Sequence, residues 1–316
     1  MASSSHKVIY AALIGNALIA VTKFVAAVVT GSSAMLSEGI HSVVDTGNQL
    51  LLLHGIRQSQ KSADARFPFG HGREIYFWSF VVAILIFAVG AGISMYEGVI
   101  HLLHPAPIES PIVNYVVLAL ALLFEGSAWR IAMREFRRER GDLGFFEAVH
   151  RSKDPSLFVV IFEDSAAMLG LLVAFVGILL GHLTAWPYFD GIASVIIGMI
   201  LAGTAIWLAV ETKGLLIGES ATSDVLQGIR QIAQSCREIR HVNEILTMHM
   251  GPDYVLVNLS VEFDDAVSAA DIEIAVAQLD RRIKQTYPMA KRIFIEGEAR
   301  RSDALPSSSG GTPPQA

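Results

Sequence analysis

The chain has 316 residues, 52% of them hydrophobic and 17% charged, with a mean hydropathy of +0.47. That is too apolar for an ordinary soluble protein and reads as an integral membrane protein held in a lipid bilayer. A net charge of −6 excludes the basic footprint of a nucleic-acid partner. The single cysteine, Cys236, excludes a disulfide framework and, lacking Cys or His neighbours at zinc-motif spacing, a structural zinc finger.

Apolar runs of about twenty residues, the length that crosses a bilayer, cover residues 8–29, 35–56, 75–100, 112–132, 157–180 and 189–210. The first follows Lys7, exceeds a signal-peptide core and has no small-residue cleavage site after it, so it is a retained span. Lys23 within it reads as a snorkelling or loosely buried lysine.

The second run carries Glu38, His41 and Asp45 at i, i+3 and i+7, and Asn48 and Gln49 continue the series. Those offsets put a polar stripe on one face of an otherwise apolar helix. Ionisable groups at that depth cost several kcal/mol unless they meet a partner, an aqueous cavity or an ion. An imidazole and a carboxylate one turn apart reach one metal ion together, although two groups from one helix cannot close a tetrahedron. The plainer alternative is a His–Asp hydrogen bond or buried ion network that joins helices.

Between the second and third runs stand Arg57, Lys61, Arg66 and Arg73, with His71 reading as part of a turn. Gly90 with Ser94 in the third run, and Gly170 with Ala174 in the fifth, permit close helix approach. Glu97 and, in the fourth run, Glu125 suit helix-end or interhelical hydrogen bonding at least as well as ligation. Arg134, Arg137, Arg138, Arg140, Arg151 and Lys153 follow the fourth run. In the fifth, Asp164 lies at a depth comparable to Asp45 and is the best third ligand; Glu163, about 100° away around the helix, is a conditional one.

The connections at residues 30–33, 101–111 and 181–187 hold no Lys or Arg, so the positive-inside rule puts both basic loops, the N-terminus and everything after the sixth run in the cytoplasm. Residues 1–211 are therefore expected to form an all-α bundle of six transmembrane helices.

Beyond Thr212 the pattern is that of a soluble domain. An amphipathic stretch at 223–239 precedes an alternating run at 242–250, a Gly251-Pro252-Asp253 turn and a second run at 255–263. A helical stretch at 269–287 and a short strand at 292–296 follow. This order predicts a small α+β domain over residues 212–298, with helices on one face of the sheet. The Ser-, Gly- and Pro-rich tail, 299–316, is expected to be disordered.

The chain resembles the cation diffusion facilitator family of divalent-metal transporters. The resemblance rests on Thr30-Gly31-Ser32-Ser33-Ala34, the SEGIHSVVD stretch at 37–45, the FPFGHGR loop at 67–73, the fifth run, Asp190-Gly191 and the terminal domain. The FEDSAA segment at 162–167 is similar to the branch related to human zinc transporter 9. The resemblance implies a homodimeric exporter that trades a cytoplasmic divalent cation, zinc foremost, for protons by alternating access. It also implies a metal site built from spans two and five, a ferredoxin-like cytoplasmic domain and no organic cofactor. The family's ligand pair falls on His41 and Asp45, and the second member of its span-five pair on Asp164. The first member falls on Val160, which cannot ligate, so either Glu163, a water or a residue such as Glu125 completes the shell or the coordination number differs. Positions that hold zinc-binding histidines in some terminal domains are Asn243, Asn258 and Ile295 here, while His241 and His249 read as surface or strand residues. The domain is expected to dimerise more than to sense metal, and a bacterial inner membrane is the expected setting.

Two rival classes fit the sequence less well. An intramembrane metal hydrolase lacks an HExxH pattern and a Ser or Cys nucleophile paired with a base, so no enzyme is expected. A metal-responsive scaffold or sensor leaves the polar stripe of the second run unexplained. One histidine with several carboxylates suits zinc, cobalt, nickel or iron(II), and the histidine-poor fifth run suits manganese.

Overall fold

The computed structural model describes residues 2–105, 111–140, 144–151 and 153–299. They divide into two compact units, one ending at Ile217 and the other beginning at Gly218.

The first unit is helical: α1 (Ala2–Thr30), α2 (Ser33–Ser59), α3 (Glu74–Leu85), a π-helical segment (Ile86–Ala91), α4 (Gly92–Leu103), α5 (Pro111–Arg140), α6 (Phe145–Arg151), α7 (Pro155–Thr184) and α8 (Tyr188–Ile217). Among the described residues, four stretches are long and apolar enough to cross a membrane: Glu74–Leu103, Ile112–Arg138, Phe158–Thr184 and Tyr188–Ile217. Asn16–Thr30 is a shorter apolar helix. The helix α2 is as long as the others but falls outside this group, because its polar stripe lowers its hydropathy. The helices outrun their apolar cores. Arg134, Arg137 and Arg138, expected in a connection, ride on the end of α5, since arginine is a good helix former. The short α6 was not anticipated from the sequence.

Because its stripe needs partners, α2 sits in the middle and packs against α1, α3, α4, α7 and α8. Ser37, Glu38, His41, Ser42, Asp45 and Asn48 are all buried. Large apolar side chains point outward instead, as Val28 at 85% exposed and Leu123 at 71% exemplify, which is the inside-out arrangement of a bundle solvated by lipid. Where helices cross closely, small residues line the contact: Gly98 of α4 meets Val195 and the Gly191 carbonyl of α8. The expected Gly170 contact has a different partner from another small residue, for the space a Cβ would fill there holds the Glu38 carboxylate.

The second unit comprises α9 (Ser223–Gln234), β1 (Ile239–Gly251), β2 (Tyr254–Phe263), α10 (Ala269–Thr286) and β3 (Ala290–Gly297). Its sheet has the order β1-β2-β3, antiparallel between β1 and β2 and parallel between β2 and β3. The hairpin turns at Pro252-Asp253, and α10 makes the crossover that a parallel pair requires. Val255, Val257, Leu259 and Val261 of β2 pack with Ile229, Leu279 and Ile283 of the helices to form the core. Ser268 caps α10, accepting from the Asp271 amide at 3.2 Å. Asn243 joins β1 to its surroundings, donating to Ser260 Oγ at 3.3 Å and to the Glu298 carbonyl at 3.1 Å. His249 is buried in β1 and His241 is exposed. The expected tail lies, from residue 300 onward, outside the described residues.

Candidate metal centre

The register of α2 is set at its start. Gly31 takes a left-handed φ of +67°, which glycine adopts without penalty, and turns the chain out of α1. Ser32 then caps α2 by accepting from the Met35 amide. The carboxylate of Asp190, in the first turn of α8, accepts from Ser32 Oγ at 2.6 Å, Ser33 Oγ at 2.9 Å and the Ser33 amide at 2.5 Å. A buried anion thus meets the positive end of the α2 dipole and satisfies its otherwise orphaned donors. This role of Asp190 escaped the sequence reading, although an aspartate opening an apolar run, opposite a Ser-Ser helix start, was its available signal.

Two turns further along, His41 Nδ1 lies 3.2 Å from Asp45 Oδ1. Among the described residues, neither nitrogen of His41 has a hydrogen-bond partner, nor does Asp45 Oδ1, although all three atoms are buried. Unsatisfied polar atoms at this depth cost about 1–3 kcal/mol each, which is what a site shaped for an incoming ion presents. On α7, Glu163 is 3% exposed and turns toward α2: its Oε1 accepts from Asn48 Nδ2 at 2.6 Å, and its carboxyl lies within hydrogen-bonding reach of Asp45. Asp164 lines a narrow cavity with Asp45, Ser42, Glu125 and Ala167. Both acidic residues of α7 are thus near Asp45, Glu163 by a side-chain contact and Asp164 through the shared cavity. Val160, one turn before Asp164, packs against the apolar core and offers no donor atom. Among the described residues no group of three or more His, Cys, Asp and Glu side chains closes to metal-binding spacing. Asp45 is the common member: it meets His41 and Glu163 and shares a cavity with Asp164, without a finished shell.

Lys23, expected to snorkel or to be loosely buried, is instead buried and tightly partnered. It is wholly buried, with its Nζ 3.1 Å from Glu38 Oε2, 2.7 Å from Glu125 Oε1 and 2.9 Å from Ser42 Oγ. A charge buried this fully needs partners, and the ion network supplies them. Glu125, weighed as an interhelical hydrogen bonder or a ligand, is paired with it.

In the loop between α2 and α3, His71 Nε2 bonds Asp64 Oδ2 at 2.9 Å, and the Arg66 and Phe67 amides donate to Asp64 Oδ1 at 2.8 and 2.7 Å. The His71 bond first, then these amides, hold the Asp64 carboxyl below the ordinary carboxylate range. His71 accordingly belongs to a structured turn.

Residues 9–217 match the cation efflux transmembrane domain family. The chain belongs to the cation efflux family. Within it the chain sits in the SLC30A9-like branch, and it is similar to the mitochondrial proton-coupled zinc antiporter SLC30A9 of Xenopus laevis. The two are 35% identical over 301 residues, covering 92% of this chain and 54% of that relative. The human SLC30A9 is also 35% identical, over 263 residues that cover 83% of this chain and 46% of it. The manganese efflux system protein MneP of Bacillus subtilis is 22% identical over 297 residues, 92% of this chain and 95% of the relative. The chain spans about half the length of the SLC30A9 relatives it matches. Membership of a cation efflux family sets the hydrolase alternative aside, and the multi-pass helical unit is that of an integral membrane protein.

Proposed function

We propose that this protein exports a divalent cation, zinc foremost, by proton antiport and alternating access, through a site made of His41, Asp45 and Asp164, with Glu163 as a conditional fourth ligand. The observation that carries this reading is the buried His41–Asp45 pair, with unsatisfied nitrogen and oxygen atoms, facing two carboxylates of α7. His and carboxylate groups must shed protons to bind a metal, so metal and protons compete for the same atoms, and that competition is the coupling. The name carried by the SLC30A9 relatives supports the same chemistry.

In this reading residues 1–211 cross the membrane six times with both termini in the cytoplasm, and residues 212–298 form a ferredoxin-like domain that pairs two copies into a homodimer. The αββαβ order of the second unit supports the domain assignment, and the arginines that end α5 support the orientation. The setting is taken as a bacterial inner membrane, in line with a Bacillus subtilis protein among the relatives.

A second reading, manganese as cargo, is favoured by the carboxylate excess around Asp45 and the absence of a donor at Val160. Proteoliposomes holding the purified full chain and loaded at acidic pH test both. Zinc uptake that follows the pH gradient and disappears in Asp45→Asn and Asp164→Asn supports antiport of zinc. Uptake of manganese in preference to zinc supports the second reading, and gradient-independent uptake by the variants overturns the site.

A further inference from the structure

Lys23 stands at an unusual place for a resident charge. Its three ammonium hydrogens face three acceptors from two other helices: Glu38 and Ser42 of α2 and Glu125 of α5. Two of these are carboxyl groups, which share the one ammonium. Glu125 gives only one oxygen to it. The other, Oε2, is buried with no hydrogen-bond partner among the described residues, and Glu125 lines the same cavity as Asp45 and Asp164. One side chain thus belongs to two settings, with one oxygen on an ammonium and the residue itself lining a cavity shared with two proposed ligands. The chain also lacks a donor at Val160, and the site proposed above fills its fourth place only conditionally, with Glu163.

We propose that Lys23 is a built-in competitor for the transported cation: it holds Glu125 in the metal-free protein, and Glu125 turns from Lys23 to supply the ligand that Val160 does not. This rests on the site proposed above and adds a residue from α5 to it. A divalent ion in direct coordination outcompetes an ammonium that offers one hydrogen bond, so metal entry draws the carboxylate over. When the metal leaves, Lys23 recaptures Glu125 and keeps it from being stranded without a counter-charge. Lys23 acts through Glu125 and is a positioning residue. Its effect is to lower metal affinity to a level from which release is fast.

Cobalt(II) binding to the detergent-purified full chain tests this, because visible absorption of the bound ion reports the number and kind of its direct ligands. Lys23→Met/Glu38→Gln removes the ammonium with one of its carboxylates, and Glu38→Gln alone is its reference. The paired variant is expected to bind cobalt at least ten-fold more tightly than the reference, and adding Glu125→Gln is expected to abolish the gain and change the absorption. Lys23→Arg should stay within two-fold of the wild type. Equal affinity of the paired variant and its reference, or a gain that survives Glu125→Gln, overturns the proposal. If the paired variant does not fold, Glu125→Gln in the otherwise native chain decides: altered cobalt absorption with weakened binding supports the proposal, and an unchanged spectrum overturns it. Asp45→Asn separates the two levels of inference. Cobalt binding indifferent to Asp45 removes the site itself, whereas binding that needs Asp45 but ignores Lys23 and Glu125 removes only the competitor.

Discussion

Asn48 donates its side-chain amide to Glu163 Oε1 at 2.6 Å, joining α2 to α7 one turn beyond the Asp45 level. The bond aims one of the two adjacent carboxylates of α7 at α2, where it also meets Asp45. A partner that orients a ligand typically accounts for 10–100-fold in metal affinity. Asn48→Leu is therefore expected to weaken zinc binding by about that factor in a direct titration of the purified protein. An unchanged dissociation constant would show that Glu163 needs no such orientation.

Asp190 closes the start of α2 through three donors of Ser32 and Ser33. Asp190→Ala leaves those buried donors unsatisfied and removes the anion at the helix start, at a cost of about 3 kcal/mol. A clear fall in the melting temperature, read by tryptophan fluorescence in detergent, is expected, with Asp190→Asn intermediate because it keeps an acceptor. Equal melting of all three proteins would contradict the capping role.

At Gly170 an added Cβ would occupy the place of Glu38 Oε1, whereas at Gly203 it would meet nothing within 4 Å. Gly170→Ala should displace Glu38 from Lys23 and destabilise by about 1–3 kcal/mol. Gly203→Ala should be neutral or stabilising by up to about 1 kcal/mol. Chemical denaturation of the two variants side by side checks the contrast, which vanishes if Glu38 readily takes another pose.

The Asp64 turn should respond to acid. Its carboxyl is held below the ordinary range by the bond from His71 and by two backbone amides, so folding of the loop is favoured fully above the unfolded value of about 3.9. That stabilisation is lost as pH falls through the depressed folded value. Hydrogen exchange at the Arg66 and Phe67 amides, corrected for intrinsic rates, should show protection at pH 6 that fades only below about pH 4. Asp64→Asn should exchange faster than the wild type already at pH 6. Protection that persists in Asp64→Asn would assign the order of the turn to its backbone bonds alone.

Much of the molecule is legible in one dimension. The apolar runs, the swing of arginine and lysine between loops, and the alternating pattern after residue 212 are local properties of the chain, and membrane insertion and strand formation respond to local properties. The i, i+3, i+7 spacing of Glu38, His41 and Asp45 likewise guarantees a shared helix face before any packing is known. Helix ends were less legible, since the arginines at the end of α5 prolong a helix as readily as they begin a loop.

Sequence alone thus determined that α2 carries a costly polar stripe and that α7 brings two carboxylates to a similar depth. Only the tertiary structure decided what each charge meets. It set Lys23 on Glu38 and Glu125, Asn48 on Glu163, and Asp190 on the start of α2. These partners lie 15, 102, 115 and 158 residues apart in the chain. The reason is physical: an unpaired charge in a low-dielectric interior is forbidden wherever it falls in the sequence, but its partner is chosen by which helices pack together. No spacing rule along the chain carries that information.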